Sequence, residues 1–116
     1  MKDWKKAVLK DSATMRDAME AIDRSSLQIV AIVDAEYRLV GTVTDGDIRR
    51  GILKGLPFTS PVRKIMRENP RSAKVDQTRE AILGLMKQKK IHQIPVLNNE
   101  GKLVGIEILD ELLTAP

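Results

Sequence analysis

The sequence predicts an α/β (α+β) fold built from two tandem β-α-β-β-α units packed about a pseudo-twofold axis. Three observations predict it. Shifting the chain by 64 positions lays it over itself without a gap. Each half carries one stripe of apolar residues at helical spacing. Each half also carries a short, wholly apolar run, the pattern of a strand covered on both faces. In the overlay Thr14 falls on Thr78, Leu27 on Ile91, Val30 on Ile94, Ile32 on Val96 and Val33 on Leu97. Asp34 falls on Asn98, Glu36 on Glu100, and Leu39-Val40-Gly41 on the identical triplet Leu103-Val104-Gly105. A unit of roughly 55 residues buries little apolar surface by itself, so two units stack. The expected organisation is repeat 1 over residues 1–55, a linker over 56–68 and repeat 2 over 69–116.

Each element has its own reason. A strand is expected at Ala7–Leu9, and then a helix whose stripe is Met15, Ala18, Met19 and Ile22. Asp11 or Ser12 is its expected N-cap. Ile29–Val33 is the buried strand, Asp34–Arg38 a tight turn and Leu39–Thr44 the returning strand of a hairpin. A second helix starts near Asp45, with Gly55 as its stop. The segment Leu56–Pro61 is bounded by prolines, and a helical turn at Val62–Met66 ends before Asn69-Pro70. Repeat 2 follows the same plan. It has a strand at Ser72–Val75, an N-cap at Asp76, a stripe of Ile82, Leu85 and Met86, strands at Ile94–Leu97 and Leu103–Ile108, and a helix from near Asp110.

Composition removes several function classes. The chain has 116 residues and 13.0 kDa, with 42% apolar and 31% charged residues, a globular balance. Trp4, Tyr37 and Phe58 are its three aromatic residues, too few for a base-stacking platform, so no nucleic-acid partner is expected. With no cysteine there are no disulfides, thiolate nucleophiles or Cys zinc sites. One histidine, His92, builds no metal cluster. No apolar run approaches the ~20 residues of a membrane helix, and the first residues do not begin a signal peptide, so a cytoplasmic location away from membranes is expected. The net charge is +4, with one basic cluster at Lys87-Gln88-Lys89-Lys90. That cluster is either a phosphate contact or the solvated end of a helix, where cations suit the dipole.

The chemistry concentrates in Gly41-Thr42-Val43-Thr44-Asp45-Gly46-Asp47-Ile48-Arg49-Arg50, which runs from strand into helix. Gly46 leaves the backbone approachable, and a helix start offers unpaired N–H groups to a phosphate or hydroxyl oxygen. A carboxylate three residues after Thr44 can accept hydrogen bonds from a vicinal diol such as ribose. The same Thr44-x-x-Asp47 spacing also reads as a capping box. The repeat acts as a control, because Ile108 and Glu111 stand at the matching positions. Repeat 2 starts its helix without a Thr cap, which shifts weight toward a ligand role in repeat 1. Asp45 and Asp47 form an Asp-x-Asp pair that a hard cation could use, although two carboxylates at a helix start already suit the dipole. Arg50, one turn in, is a candidate phosphate ligand. His92 is either a satisfied surface residue or a contact for a bound base. No nucleophile–base pair, Walker loop or Gly-x-Gly-x-x-Gly is present, so no catalytic residue and no metal site is assigned.

The doubled unit, with Gly41-x-x-Thr44-x-x-Asp47 after the third strand and Ile94-Pro95-Val96 in the second copy, resembles a pair of CBS domains, a Bateman module. The resemblance covers about residues 1–115. It implies a regulatory module without catalysis that needs no cofactor and binds an adenosine-containing effector such as AMP, ADP, ATP or S-adenosylmethionine between the repeats. It implies that Asp47 holds the ribose hydroxyls, that Thr44 holds ribose or phosphate, and that Val75 with Ile91-His92-Gln93 lines the base. The departures at Ile108 and Glu111 imply one good site rather than two. The stretch Thr44 to Arg50 is similar to CBS pairs of sugar nucleotidyltransferases, and a related stretch occurs in sugar-phosphate isomerases such as arabinose-5-phosphate isomerase. The start at Met1 and the chain order favour the former, with a C-terminal catalytic domain as partner. A purely structural dimerisation module is the competing expectation. Apolar positions Ile48, Ile52 and Leu53, and Leu109, Leu112 and Leu113, predict a homodimer through helix faces.

Overall fold

The computed structural model describes residues 3–114. Repeat 1 contains a 3-10 turn (Trp4–Ala7), β1 (Val8–Lys10), α1 (Met15–Ser25), β2 (Ile29–Val33), β3 (Leu39–Thr44) and α2 (Asp45–Leu53). A second 3-10 turn (Val62–Lys64) and β4 (Arg67–Glu68) follow. Repeat 2 contains β5 (Ala73–Lys74), α3 (Arg79–Lys89), β6 (Gln93–Leu97), β7 (Leu103–Ile108) and α4 (Leu109–Thr114). The strands form two sheets, ordered β1-β2-β3-β4 and β5-β6-β7. In each, the first strand runs parallel to the central one and the hairpin partner runs antiparallel.

All five residues of β2 are buried, as an apolar run covered on both faces requires. Three apolar clusters account for the packing. Met15, Ala18 and Ala21 of α1 and Ile48 of α2 close over Val30, Ile32 and Val43 on the outer face of the first sheet. Ile82 and Met86 of α3 and Leu112 of α4 do the same for Ile94 and Val96 in the second. Between the sheets lie Ala7, Leu27, Ile29, Ala31 and Val33 from repeat 1 with Leu103 and Ile106 from repeat 2. The residues of β2 therefore alternate, even positions outward to the helices and odd positions inward to the other repeat.

The repeats match in detail. The Asp34 carboxylate accepts the N–H groups of Glu36 and Arg38, both at 2.9 Å. The Asn98 side-chain oxygen accepts those of Glu100 and Lys102 at 2.9 and 3.0 Å. Ser26 and Lys90 end α1 and α3 in left-handed conformations. The hairpin tips are tied reciprocally: the Leu39 N–H donates to the Gly101 carbonyl at 3.2 Å and the Leu103 N–H to the Tyr37 carbonyl at 3.0 Å. Those two bonds exchange under the 64-residue shift, which is the pseudo-twofold axis written in backbone.

Two expectations about helix starts are corrected. The N-cap of α1 is Thr14 rather than Asp11 or Ser12, and the N-cap of α3 is Thr78 rather than Asp76. In both places the chain forms a turn before the helix, so the capping hydroxyl comes two or three residues later than the first small polar residue. Asp11 instead pairs with Arg63, tying the segment after α2 back to repeat 1. That segment, residues 56–68, also delivers Val62, Ile65 and Met66 to the first core. The α2 stop falls as expected, with Lys54 as C-cap and Gly55 at φ +84°.

Candidate functional site

The start of α2 carries a complete capping box. The Asp47 N–H donates to Thr44 Oγ1 at 3.5 Å, and the Thr44 N–H donates to Asp47 Oδ2 at 2.9 Å. The Thr44 hydroxyl adds a 3.1 Å bond to the same oxygen. The other carboxylate oxygen, Oδ1, accepts Arg50 Nη2 at 2.6 Å. Capping alone accounts for the Thr-x-x-Asp spacing, because α1 begins with an equivalent box from Thr14 and Asp17. The two boxes differ in location: Thr44 and Asp47 open onto a cavity between the repeats, of which Thr14 and Asp17 form no part.

That cavity has a volume of about 360 Å³, within the ~300–1,000 Å³ common for small-molecule sites. Repeat 1 supplies Thr42, Thr44, Asp47 and Arg50, and repeat 2 faces them with Lys90, Ile91, His92 and Gln93. Arg67 from the connecting segment and Arg71 just after it close the cavity. Four basic side chains therefore surround one carboxylate, a field suited to an anion that also carries hydroxyl groups.

Of the sequence-predicted site residues, Thr44, Asp47, Arg50, Ile91, His92 and Gln93 meet in this cavity. Three do not. Val75 is 58% exposed and is no part of the lining, because the two-residue β5 ends before it. Asp45 points the other way, into a hollow shared with Met19, Ile22 and Asp23. It therefore does not converge with Asp47 on a cation, as successive helix positions point in different directions. Gly46 lies beside the Arg50 guanidinium instead, where an added Cβ would stand 3.3 Å from Nη1.

Arg67 and Arg71 line the cavity although no motif in the sequence marks them, whereas Lys90 belongs to the basic cluster Lys87-Gln88-Lys89-Lys90. Arg67 reaches the cavity because β4 pairs with β3, placing it opposite Thr42. A two-residue strand leaves no periodic signal, although the basic spacing Arg63, Lys64, Arg67, Arg71 is present in the sequence. Lys87 and Lys89 sit exposed in the last turn of α3, as a solvated helix end should, while Lys90 turns toward the cavity.

A second hollow of about 340 Å³ occupies the pseudo-symmetric position, lined by Ser26, Leu27, Gln28, His92, Gln93, Ile108 and Asp110. Among the described residues no Arg or Lys lines it, and Ile108 stands where Thr44 stands in the first. His92 and Gln93 border both hollows, and Gln93 Nε2 donates to Gln28 Oε1 at 3.3 Å across the axis.

Comparison with known proteins places this architecture. Arabinose 5-phosphate isomerase GutQ of Escherichia coli K12 is 31% identical over 104 residues, covering 90% of this chain and 32% of the isomerase. The chain thus spans about a third of the length of the curated relatives it matches. Among solved structures, CBSX2 in complex with AMP superposes with a TM-score of 0.79 at 25% identity, covering 93% of this chain and 84% of that one. A CBS domain protein of Pyrobaculum aerophilum, PAE2072, complexed with AMP, shares the fold with a TM-score of 0.80 at 19% identity, covering 100% of this chain and 92% of that one. The model of the CBS domain matches twice, over residues 4–54 and 62–106, and the chain belongs to the CBS domain family.

Proposed function

We propose that this chain is a non-catalytic regulatory module that binds an adenosine-containing nucleotide in the cavity between its repeats. The observation that carries the reading is the meeting of Thr44 and Asp47 with Ile91-His92-Gln93 around one hollow that also holds Arg67, Arg71 and Lys90. Asp47 accepts hydrogen bonds from the ribose hydroxyls and Thr44 holds ribose or phosphate. Ile91 and the amide of Gln93 border the base, and Arg67, Arg71 and Lys90 take the phosphates. The AMP bound by CBSX2 supports the adenosine class. The attached enzyme is a sugar-phosphate isomerase, which the curated relatives favour over the nucleotidyltransferase that chain order suggested, Thr44–Arg50 being similar to both groups.

Titration calorimetry with AMP, ADP, ATP and S-adenosylmethionine tests the reading. Saturation at one site per chain is expected, because the second hollow lacks both Thr and cations. Two equal sites, or no binding by any of the four, would refute it.

The module also dimerises through its helix faces. Ile52 and Leu53 on α2 and Leu113 on α4 are 44%, 79% and 53% exposed, whereas Ile48 and Leu112, expected on the same face, are buried in the two cores. The dimer patch is therefore narrower than the sequence suggested. Light scattering at tens of micromolar should give twice the 13.0 kDa chain mass, and Ile52→Glu should restore the monomer.

A further inference from the structure

We propose that Arg50 is a latch on Asp47, and that this latch makes the cavity select phosphorylated over unphosphorylated nucleosides. The inference rests on the nucleotide-binding reading above. Asp47 has two oxygens with different commitments. Oδ2 is held by the Thr44 N–H at 2.9 Å and the Thr44 hydroxyl at 3.1 Å, both parts of the helix cap. Oδ1 is the oxygen left for a diol, and the Arg50 guanidinium already donates to it at 2.6 Å. A ribose must therefore displace Arg50 or share its acceptor.

What the displaced guanidinium finds next decides the selectivity. It lines the same cavity as Arg67, Arg71 and Lys90, where a nucleotide's phosphate is received. A nucleotide therefore offers Arg50 a new charged partner as it takes the old one away, and guanidinium binds phosphate oxygens as well as carboxylate. A nucleoside takes the partner and returns none. The latch opens readily: the Arg50 side chain is 61% exposed and the pair is spaced i, i+3 on the helix, a geometry that holds weakly. A Cβ at position 46 would stand 3.3 Å from Nη1, so glycine leaves the guanidinium uncrowded there.

The test compares adenosine with AMP by calorimetry on the wild-type chain and on Arg50→Ala. Arg50 is exposed, so the variant should fold, and its circular dichroism is recorded as a control. AMP affinity should fall about tenfold or more, the effect of losing one charged hydrogen-bond donor. Adenosine affinity should rise about two- to fivefold, because Asp47 is released from an exposed ion pair. An adenosine affinity that falls or stays put in Arg50→Ala overturns the latch, and so does an unchanged AMP affinity. Wild-type protein that binds neither ligand refutes the nucleotide reading itself, an outcome distinct from a latch that fails in a protein that binds both.

Discussion

Gly41 and Gly105 occupy the same place in the two repeats, inside the identical triplet Leu-Val-Gly, yet the structure constrains them differently. A Cβ at Gly41 would stand 2.6 Å from Met66 Sδ and 3.0 Å from the Arg67 carbonyl oxygen, whereas one at Gly105 would meet nothing within 4 Å. The cause is β4, which lies against β3 and brings Met66 and Arg67 with it. Among the described residues the second sheet has no fourth strand beside β7. The helix starts differ in the same sense. Repeat 1 presents Thr44 and Asp47 to a basic cavity, and repeat 2 presents Ile108 to a hollow that no described Arg or Lys lines. The glycine contrast and Arg67 trace to the segment that follows α2, which adds a strand and a core methionine to one repeat, whereas the change from Thr44 to Ile108 lies in the repeats themselves. A repeated pattern thus keeps its fold while the neighbours of its two copies differ.

The largest break in this comparison is at the helix starts. Asp47→Ala should abolish measurable nucleotide binding, about a hundredfold loss or more, since it removes a charged acceptor facing the ligand. Its cost to folding should be only about 1 kcal/mol, the worth of a cap. Glu111→Ala, at the matching position, should leave affinity unchanged, because Glu111 lines neither hollow. Calorimetry on both variants reads the contrast, and equal losses would show that the repeats share the site evenly.

Next come the glycines. Gly41→Ala should destabilise by about 1–3 kcal/mol, the usual range for forcing extra volume into packed surroundings. The Met66 thioether can swing away, but the Arg67 carbonyl is backbone and cannot. Gly105→Ala should be neutral or stabilising by about 0.5 kcal/mol, since a strand glycine loses more backbone entropy on folding than alanine. Urea denaturation of the two variants measures the difference, and similar values would deny β4 its role.

The smallest contrast lies at the first helices. Thr14 caps α1 with a reciprocal box, while Thr78 caps α3 through a single 3.1 Å bond from the Ala81 N–H. Thr14→Ala should cost about 1–2 kcal/mol and Thr78→Ala about 0.5–1 kcal/mol. Equal shifts in denaturation midpoint would show that the Asp17 half of the box adds nothing.

Much of this was legible in the sequence. The bounds of β2, β3 and β7 agree with it residue for residue, because an apolar run between turn residues leaves little freedom. The N-caps were misplaced even though the repeat itself aligned Thr14 with Thr78, the two true caps. A single polar residue near a helix start is a common feature, and only its recurrence in both copies singles it out. Six of the nine proposed site residues share the cavity, since they lie on a helix start and a strand edge that the topology brings together. Arg67 is not legible in the sequence because it depends on a two-residue strand, whose pairing is decided by packing rather than pattern, and Arg71 lies in irregular chain with no pattern at all.

The reciprocal bonds between the hairpin tips have a mechanical consequence. They join the repeats at residues 37–39 and 101–103. The cavity lies at the other end of the same strands, beside Ile29 and Thr44, about 17 Å away for a five-residue strand. The core between the sheets and the Gln93–Gln28 bond hold the repeats together away from the tips as well. Any rotation of one repeat on the other about the tips moves the cavity walls, a strand's length away, farther than it moves the tips themselves.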